Sequence, residues 1–324
     1  MTTSPRPVLV VAPALAGVVA MAVSSAVPLL GPMLVALALG AVVANASAAP
    51  AELLATPSAV ARTCLRVGIV LLGLRLPLDD LLGIGLGGVV VVVATVAITY
   101  TVTTVVGDAL GIERGLVTLI AAGFSVCGAA AIAAVQDGVR ARQRHVAVAV
   151  ALVTVYGTAM IALLPLAGRA LGLSTEHAAL WAGASIHEVA QVIAAASLIG
   201  GPLAVAVATT IKLGRVLTLA GVYAVASRRQ GGEEATSAPV VPWFVAGFLV
   251  AVAVRATGVV SPGALGLAET VTTLFLAAGM FGLGLGLRVR DLWPLPAGVV
   301  ALATVATVTA AGSSLLLILG TSLA

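Results

Sequence analysis

Pro202-Leu-Ala-Val-Ala-Val-Ala-Thr-Thr-Ile-Lys-Leu-Gly-Arg-Val-Leu-Thr-Leu-Ala-Gly-Val-Tyr-Ala-Val-Ala226 is apolar and long enough to cross a bilayer, yet it carries Lys212 and Arg215 at its middle. A basic side chain at the membrane centre costs about 2.5–3.5 kcal/mol on insertion scales, so one that persists faces a cavity, a partner or a substrate. Three residues apart on a helix, the two cations share a face. They predict a positively charged site inside a membrane protein, and hence an anionic ligand.

The rest of the chain agrees with a membrane setting. Of 324 residues, 61% are hydrophobic and 9% charged, and the mean hydropathy is +1.21. Such a balance excludes a soluble domain. Apolar runs recur at 8–24, 28–47, 60–76, 84–107, 115–136, 145–168, 178–199, 202–226, 241–257, 267–287 and 296–320, many of them long enough for a hydrocarbon core about 30 Å thick. The expected fold is all-α: a polytopic transmembrane helical bundle of about 11 segments forming one domain, because a β-barrel would show short alternating strands. The polar stretch from Ser227 to Pro239 reads as an aqueous loop.

The net charge of +4 is scattered as short Arg clusters beside the apolar runs. That is the pattern of topology signals, not of a nucleic-acid surface. Cys64 and Cys127 lie in separate apolar segments and fit neither a disulfide framework nor a metal site. The run from Val8 to Val23 lacks a polar cleavage region and is read as a first span. No P-loop is present, so no ATP consumption or cofactor is expected.

Leu65-Arg-Val-Gly-Ile-Val-Leu-Leu-Gly-Leu-Arg-Leu-Pro-Leu-Asp-Asp-Leu81 aligns without gaps on Leu276-Ala-Ala-Gly-Met-Phe-Gly-Leu-Gly-Leu-Gly-Leu-Arg-Val-Arg-Asp-Leu292. Gly68 and Gly279, Gly73 and Gly284, and Asp80 and Asp291 match. If every segment crosses, the two copies point in opposite directions, which is the inverted repeat of many secondary transporters. Arg75, Asp79, Asp80, Arg288, Arg290, Asp291, Asn45, Asp108 and Glu113 are placed at the interface, where snorkelling and pairing hold them. Orientation stays open. Arg140, Arg142 and Arg144 lie three apparent crossings from Arg228 and Arg229, so either segment 178–199 is broken or re-entrant, the preferred reading, or one cluster lies outside.

Two further stretches can carry chemistry. Ser185, His187, Glu188 and Gln191 sit inside one apolar run; Gln at 191 defeats a zincin His-Glu-x-x-His pattern. They serve either as interhelical glue or as a substrate or proton site. Gly123, Ser125, Cys127 and Gly128 suit either tight helix packing or a discontinuous helix whose free N–H groups face an anion. Ala122-Gly-x-Ser125 is weakly echoed by Ala182-Gly-x-Ser185. The backbone is expected to leave regular helix near 123–128, near 183–187, or both.

Residues 65–76, the Phe-Ser-Val-Cys-Gly-Ala-Ala-Ala-Ile-Ala-Ala stretch at 124–134, Ser-Ile-His-Glu-Val-Ala-Gln-Val at 185–192 and Ile-Lys-Leu-Gly-Arg-Val-Leu at 211–217 together resemble the YeiH-type sulfate exporter family of bacterial inner-membrane proteins. The resemblance implies a multi-pass inner-membrane protein that exports sulfate or a related sulfur oxyanion. Through a distant likeness to bile-acid and arsenite-type transporters, it also implies an inverted repeat with crossed, broken helices. Gly214 departs from the bulkier residue expected in that motif.

The resulting expectation is a secondary transporter of a small anion and not an enzyme. Lys212 and Arg215 would neutralise the anion, Gly123 to Gly128 would offer backbone donors, and Ser125, Cys127 and Ser185 would complete the site. His187, Glu188 and Gln191 would couple or gate, with Glu188 pairing with a cation when the site is empty. Alanine at 212 or 215 should then act on ligand binding more than on membrane insertion, which the remaining apolar spans direct. A passive anion channel and a membrane-embedded enzyme are the alternatives. The coupling ion, proton or sodium, and any homo-oligomeric state stay open.

Overall fold

Hydrocarbon offers the backbone no hydrogen bonds, so a chain this apolar has to satisfy its N–H and C=O groups internally, and it does so with helices. The computed structural model describes residues 8–26, 31–46, 58–76, 83, 85–136, 138–229, 243–286 and 295–321. In order, the helices are α1 (Val8–Ala26), α2 (Pro32–Asn45), α3 (Ser58–Leu72, continued by a 3-10 turn, Gly73–Arg75), α4 (Gly85–Ala109), α5 (Arg114–Ser125), α6 (Ala129–Val135), α7 (Gln143–Ala170), α8 (Thr175–Ser185), α9 (Val189–Leu217), α10 (Leu219–Arg229), α11 (Trp243–Ala256), α12 (Pro262–Leu285) and α13 (Ala297–Gly320). No strand occurs among the described residues. The chain divides into two compact units, one holding α1–α3 with α11 and α12, the other holding α4–α10 with α13.

In the first unit the repeated segments pack on each other. The Leu276 side chain lies where a Cβ on Gly68 would stand, and Leu65 lies where a Cβ on Gly279 would stand, while Ala61 fills the same place at Gly282. Rising numbers on α3 therefore meet falling numbers on α12, so the two copies are antiparallel. The repeat also reaches further than the sequence match. Helices α2 and α11 have 14 residues each, and their first and last residues are 211 positions apart. Gly73 packs on Phe248, Ala251 and Val252 of α11, and its counterpart Gly284 packs on Leu37, Gly40 and Ala41 of α2. Each of those three pairs keeps the same offset. The Arg75 guanidinium donates to Glu269 Oε1 at 2.5 Å, the ion pair expected at a helix end. Asp79, Asp80, Arg288, Arg290 and Asp291 lie outside the described residues.

In the second unit not every apolar segment crosses. The α5–α6 segment does not cross but turns back. Glu113, just before α5, lies 3.5 Å from Arg142 and 3.6 Å from His145, both beyond α6. Gly138 packs against Tyr223 and Ser227 of α10, while Asp108 at the end of α4 accepts from Arg229. All of these groups therefore share one end of the unit. At the other end, Gly200 packs on Thr175, where α8 begins, and Arg169 donates to Leu198 O at 3.1 Å. Segment 175–199 is thus a second re-entrant hairpin, entering from the opposite end. A straight span across Val189–Arg229 would hold 41 residues and reach about 60 Å, twice the hydrocarbon thickness. It is broken at Gly200 and at Gly201, whose φ is 54°, so 189–199 is a hairpin arm and 202–229 the crossing. The broken helices implied by the resemblance take the form of two opposed hairpins, interrupted between Ser125 and Ala129 and between Ser185 and Val189.

Re-entry resolves the arginine conflict. Since 175–199 does not cross, α7 and the 202–229 segment carry Arg140–Arg144 and Arg228–Arg229 to the same end, as the positive-inside rule requires. On a background with Cys64 and Cys127 replaced by alanine, cysteines placed at Glu113 and Arg142 should react with an impermeant maleimide from one side of the membrane. Cysteines at Glu176 and Ser197 should react from the other. Labelling of Glu113→Cys and Arg142→Cys from opposite sides would refute the hairpin.

Candidate functional site

The tips of the two hairpins meet against the crossing that carries the cations. Helix α5 ends at Ser125 and α6 starts at Ala129, with Val126 at φ −107°, ψ −90° and Gly128 at φ 72°. Helix α8 ends at Ser185 and the next arm starts at Val189. The departures from helix expected near 123–128 and 183–187 therefore occur at both places. They are 60 positions apart, the spacing of the Ala-Gly-x-Ser echo.

Each tip leaves carbonyls unpaired at a helix C-terminus, an end that carries roughly half a negative charge. Lys212 and Arg215, both fully buried, satisfy the two ends together. Lys212 Nζ donates to Val126 O at 2.6 Å and Ile186 O at 2.8 Å. Arg215 donates from Nε to Ser125 O at 3.0 Å, from one terminal nitrogen to Ala184 O at 2.7 Å and Ile186 O at 3.2 Å, and from the other to Phe124 O at 2.9 Å and Ser125 O at 2.6 Å. Every guanidinium nitrogen is used. Gly183 allows this, because a Cβ there would strike the Ala208 carbonyl of the crossing helix.

The helix N-termini at the tips are served by the opposite charge. The Glu188 carboxylate accepts from Ala129 N at 3.3 Å and from the backbone N–H of Gln191. Gln191 returns the capping box by accepting from Glu188 N at 3.1 Å and donates to Thr154 O at 3.3 Å. Its amide occupies the space left by Gly157 of α7. Glu188 thus turns to backbone N–H groups instead of pairing with Lys212 or Arg215, since two converging N–H donors satisfy a carboxylate without moving either cation from its carbonyls.

The other singled-out residues are gathered here too. The Ser125 hydroxyl donates back to Ala122 O at 3.4 Å and that of Ser185 to Trp181 O at 2.6 Å, so both turn toward their own helices. Cys127 is buried and free. Gly123 lies in the last turn of α5, and its carbonyl accepts from Gly128 N at 2.9 Å and closes the tip. His187 shares a hydrogen bond of 3.2 Å between Nε2 and the Thr307 hydroxyl of α13, stacks 4.5 Å from the Phe124 ring and leaves a buried Nδ1 without a hydrogen bond. Thr307, Thr154 and Phe124 were not marked by the sequence; a threonine or phenylalanine in an apolar run carries no signal of its own. Among the described residues no group of three or more His, Cys, Asp or Glu side chains is placed to hold a metal ion.

These helices and their hairpin centre define a multi-pass membrane protein. The chain matches the family model described as "Conserved hypothetical protein 698" over residues 8–303. It is 41% identical over 266 residues to a UPF0324 membrane protein of Corynebacterium glutamicum, covering 81% of this chain and 77% of that one. It is 33% identical over 270 residues to one of Bacillus cereus, covering 81% and 78%, and 38% identical over 240 residues to one of Pseudomonas aeruginosa, covering 68% and 66%. The chain belongs to the UPF0324 family of membrane proteins. No solved structure matches it.

Proposed function

We propose that this protein is a secondary transporter of a small anion, of the sulfur-oxyanion class that the sequence resemblance implies. The observation that carries this reading is the charge at the hairpin tips. Two cations, Lys212 and Arg215, and one carboxylate, Glu188, are buried there, while the two helix C-termini and two N-termini cancel to first order. One positive charge is left over in a low-dielectric centre, and an anion is what completes it. Re-entrant hairpins inserted from opposite ends place irregular backbone where it lines a substrate path, a recurrent transporter device. A donor not already engaged is the third ammonium hydrogen of Lys212.

In proteoliposomes, saturable counterflow of radiolabelled sulfate, or of a sulfite, thiosulfate or sulfonate competitor, is the expected result. Flux that does not saturate and follows membrane potential alone would mark a channel. No flux of any of these anions would end the anion reading.

A further inference from the structure

The position of Lys212 Nζ is unusual for a substrate-binding cation. It is held by the carbonyls of Val126 and Ile186 at 2.6 and 2.8 Å. These carbonyls stand at equivalent positions of the two tips, at the C-cap of α5 and the C-cap of α8. Unwound carbonyls and half-helix C-termini are the groups with which membrane transporters commonly hold an alkali cation, and backbone carbonyls replace an ion's hydration shell directly. Arg215, Glu188 and Cys127 lie close enough to act on the ammonium electrostatically, and the side chain is fully buried. A bare meeting of two C-termini would leave desolvated acceptors facing like partial charges, so this point needs a cation whatever the protein carries.

We infer that the carbonyl pair of Val126 and Ile186 is a monovalent-cation site whose occupant is the protein's own Lys212 ammonium. A lysine is suited to the task because it is a compact point charge on a flexible stem, whereas the planar fork of Arg215 serves the divergent carbonyls around it. The tether makes the occupant permanent, so a sodium gradient finds no vacancy here. Removing the side chain should uncover the site for a free ion of similar size. The consequence for coupling rests on the transport reading; the occupancy does not, and is measured without any anion.

The probes are sodium, potassium and ammonium chloride, with choline chloride as a cation too large to enter, all at one ionic strength, on purified full-length protein followed by thermal unfolding. Wild type should melt at the same temperature in all four salts. Lys212→Ala should melt several degrees lower in choline and recover more than half of the loss in at least one of the small cations. Lys212→Met, which fills the space without a charge, should be lowered and not recover. Should the alanine variant not fold, Lys212→Ser, whose short side chain also leaves the carbonyls open, takes its place with the same expected recovery. Stabilisation of wild type by sodium over choline, or indifference of the shortened variant to every small cation, overturns the inference. Absence of anion counterflow by the wild-type protein, with cation recovery of the variant intact, would remove the transport reading and leave the cation site standing.

Discussion

Arg215→Met should be among the most damaging single substitutions in this protein. Methionine keeps the apolar bulk but removes every donor of the guanidinium, leaving the carbonyls of Phe124, Ser125 and Ala184 without the partner that now holds them. An orphaned buried polar group costs about 1–3 kcal/mol, and breaking a buried charged network about 3–5 kcal/mol. We expect a loss of about 4 kcal/mol, seen as a fall in melting temperature of roughly 10–15 °C in detergent for a unit of this size. Arg215→Lys should recover less than half, because three donors on one nitrogen cannot reach all four carbonyls, of Phe124, Ser125, Ala184 and Ile186, that the guanidinium fork now holds. Melting within a few degrees of wild type would show that the tips hold without the guanidinium. The sequence expectation for this position concerns ligand binding against membrane insertion; the hydrogen bonds of Arg215 add an effect on stability.

Gly128→Ala should be nearly as harmful, through two independent costs. The residue sits at φ 72°, and an added Cβ would collide with the Glu188 side chain. A non-glycine residue in left-handed backbone costs about 1–3 kcal/mol, and pushing Glu188 aside frees the N–H of Ala129 that it accepts. A fall of roughly 5–10 °C is expected. The test that isolates the collision is a double-mutant cycle: with Glu188→Ala already present, Gly128→Ala should cost markedly less than alone. Strict additivity would show that the two residues do not meet.

Much of this arrangement is written locally. Gly200-Gly201-Pro202 announces its break, because only glycine takes the backbone of Gly201 easily. The tips are signalled by Gly123 to Gly128 and by polar residues at 185–188 inside an apolar run. The ungapped match between 65–81 and 276–292 exposes the duplicated helices. Re-entry of the first hairpin was not legible, because residues 115–136 are apolar and numerous enough to cross. What turns them back is Lys212 and Arg215, some 86–91 positions later, and no window of sequence contains both. The cations reach the glycine-rich break as expected, but that they bind its carbonyls was not legible, for the same reason. Side-chain chemistry is visible in a sequence, whereas a backbone carbonyl is common to every residue and becomes a specific ligand only where a helix stops.

That separation along the chain bears on how the protein is made. Arg215 follows Ser125 by 90 residues, and ribosomes add about 5–20 residues per second. The first hairpin therefore emerges roughly 5–20 s before the side chain that neutralises its tip exists. During that interval its exposed carbonyls have no protein partner and cannot rest in lipid without cost. The α5–α6 segment should accordingly wait at the bilayer surface or inside the insertion machinery. It would sink to its final depth only when the 202–229 crossing arrives, making insertion of this hairpin a late, assembly-dependent step and not a property of its own hydrophobicity.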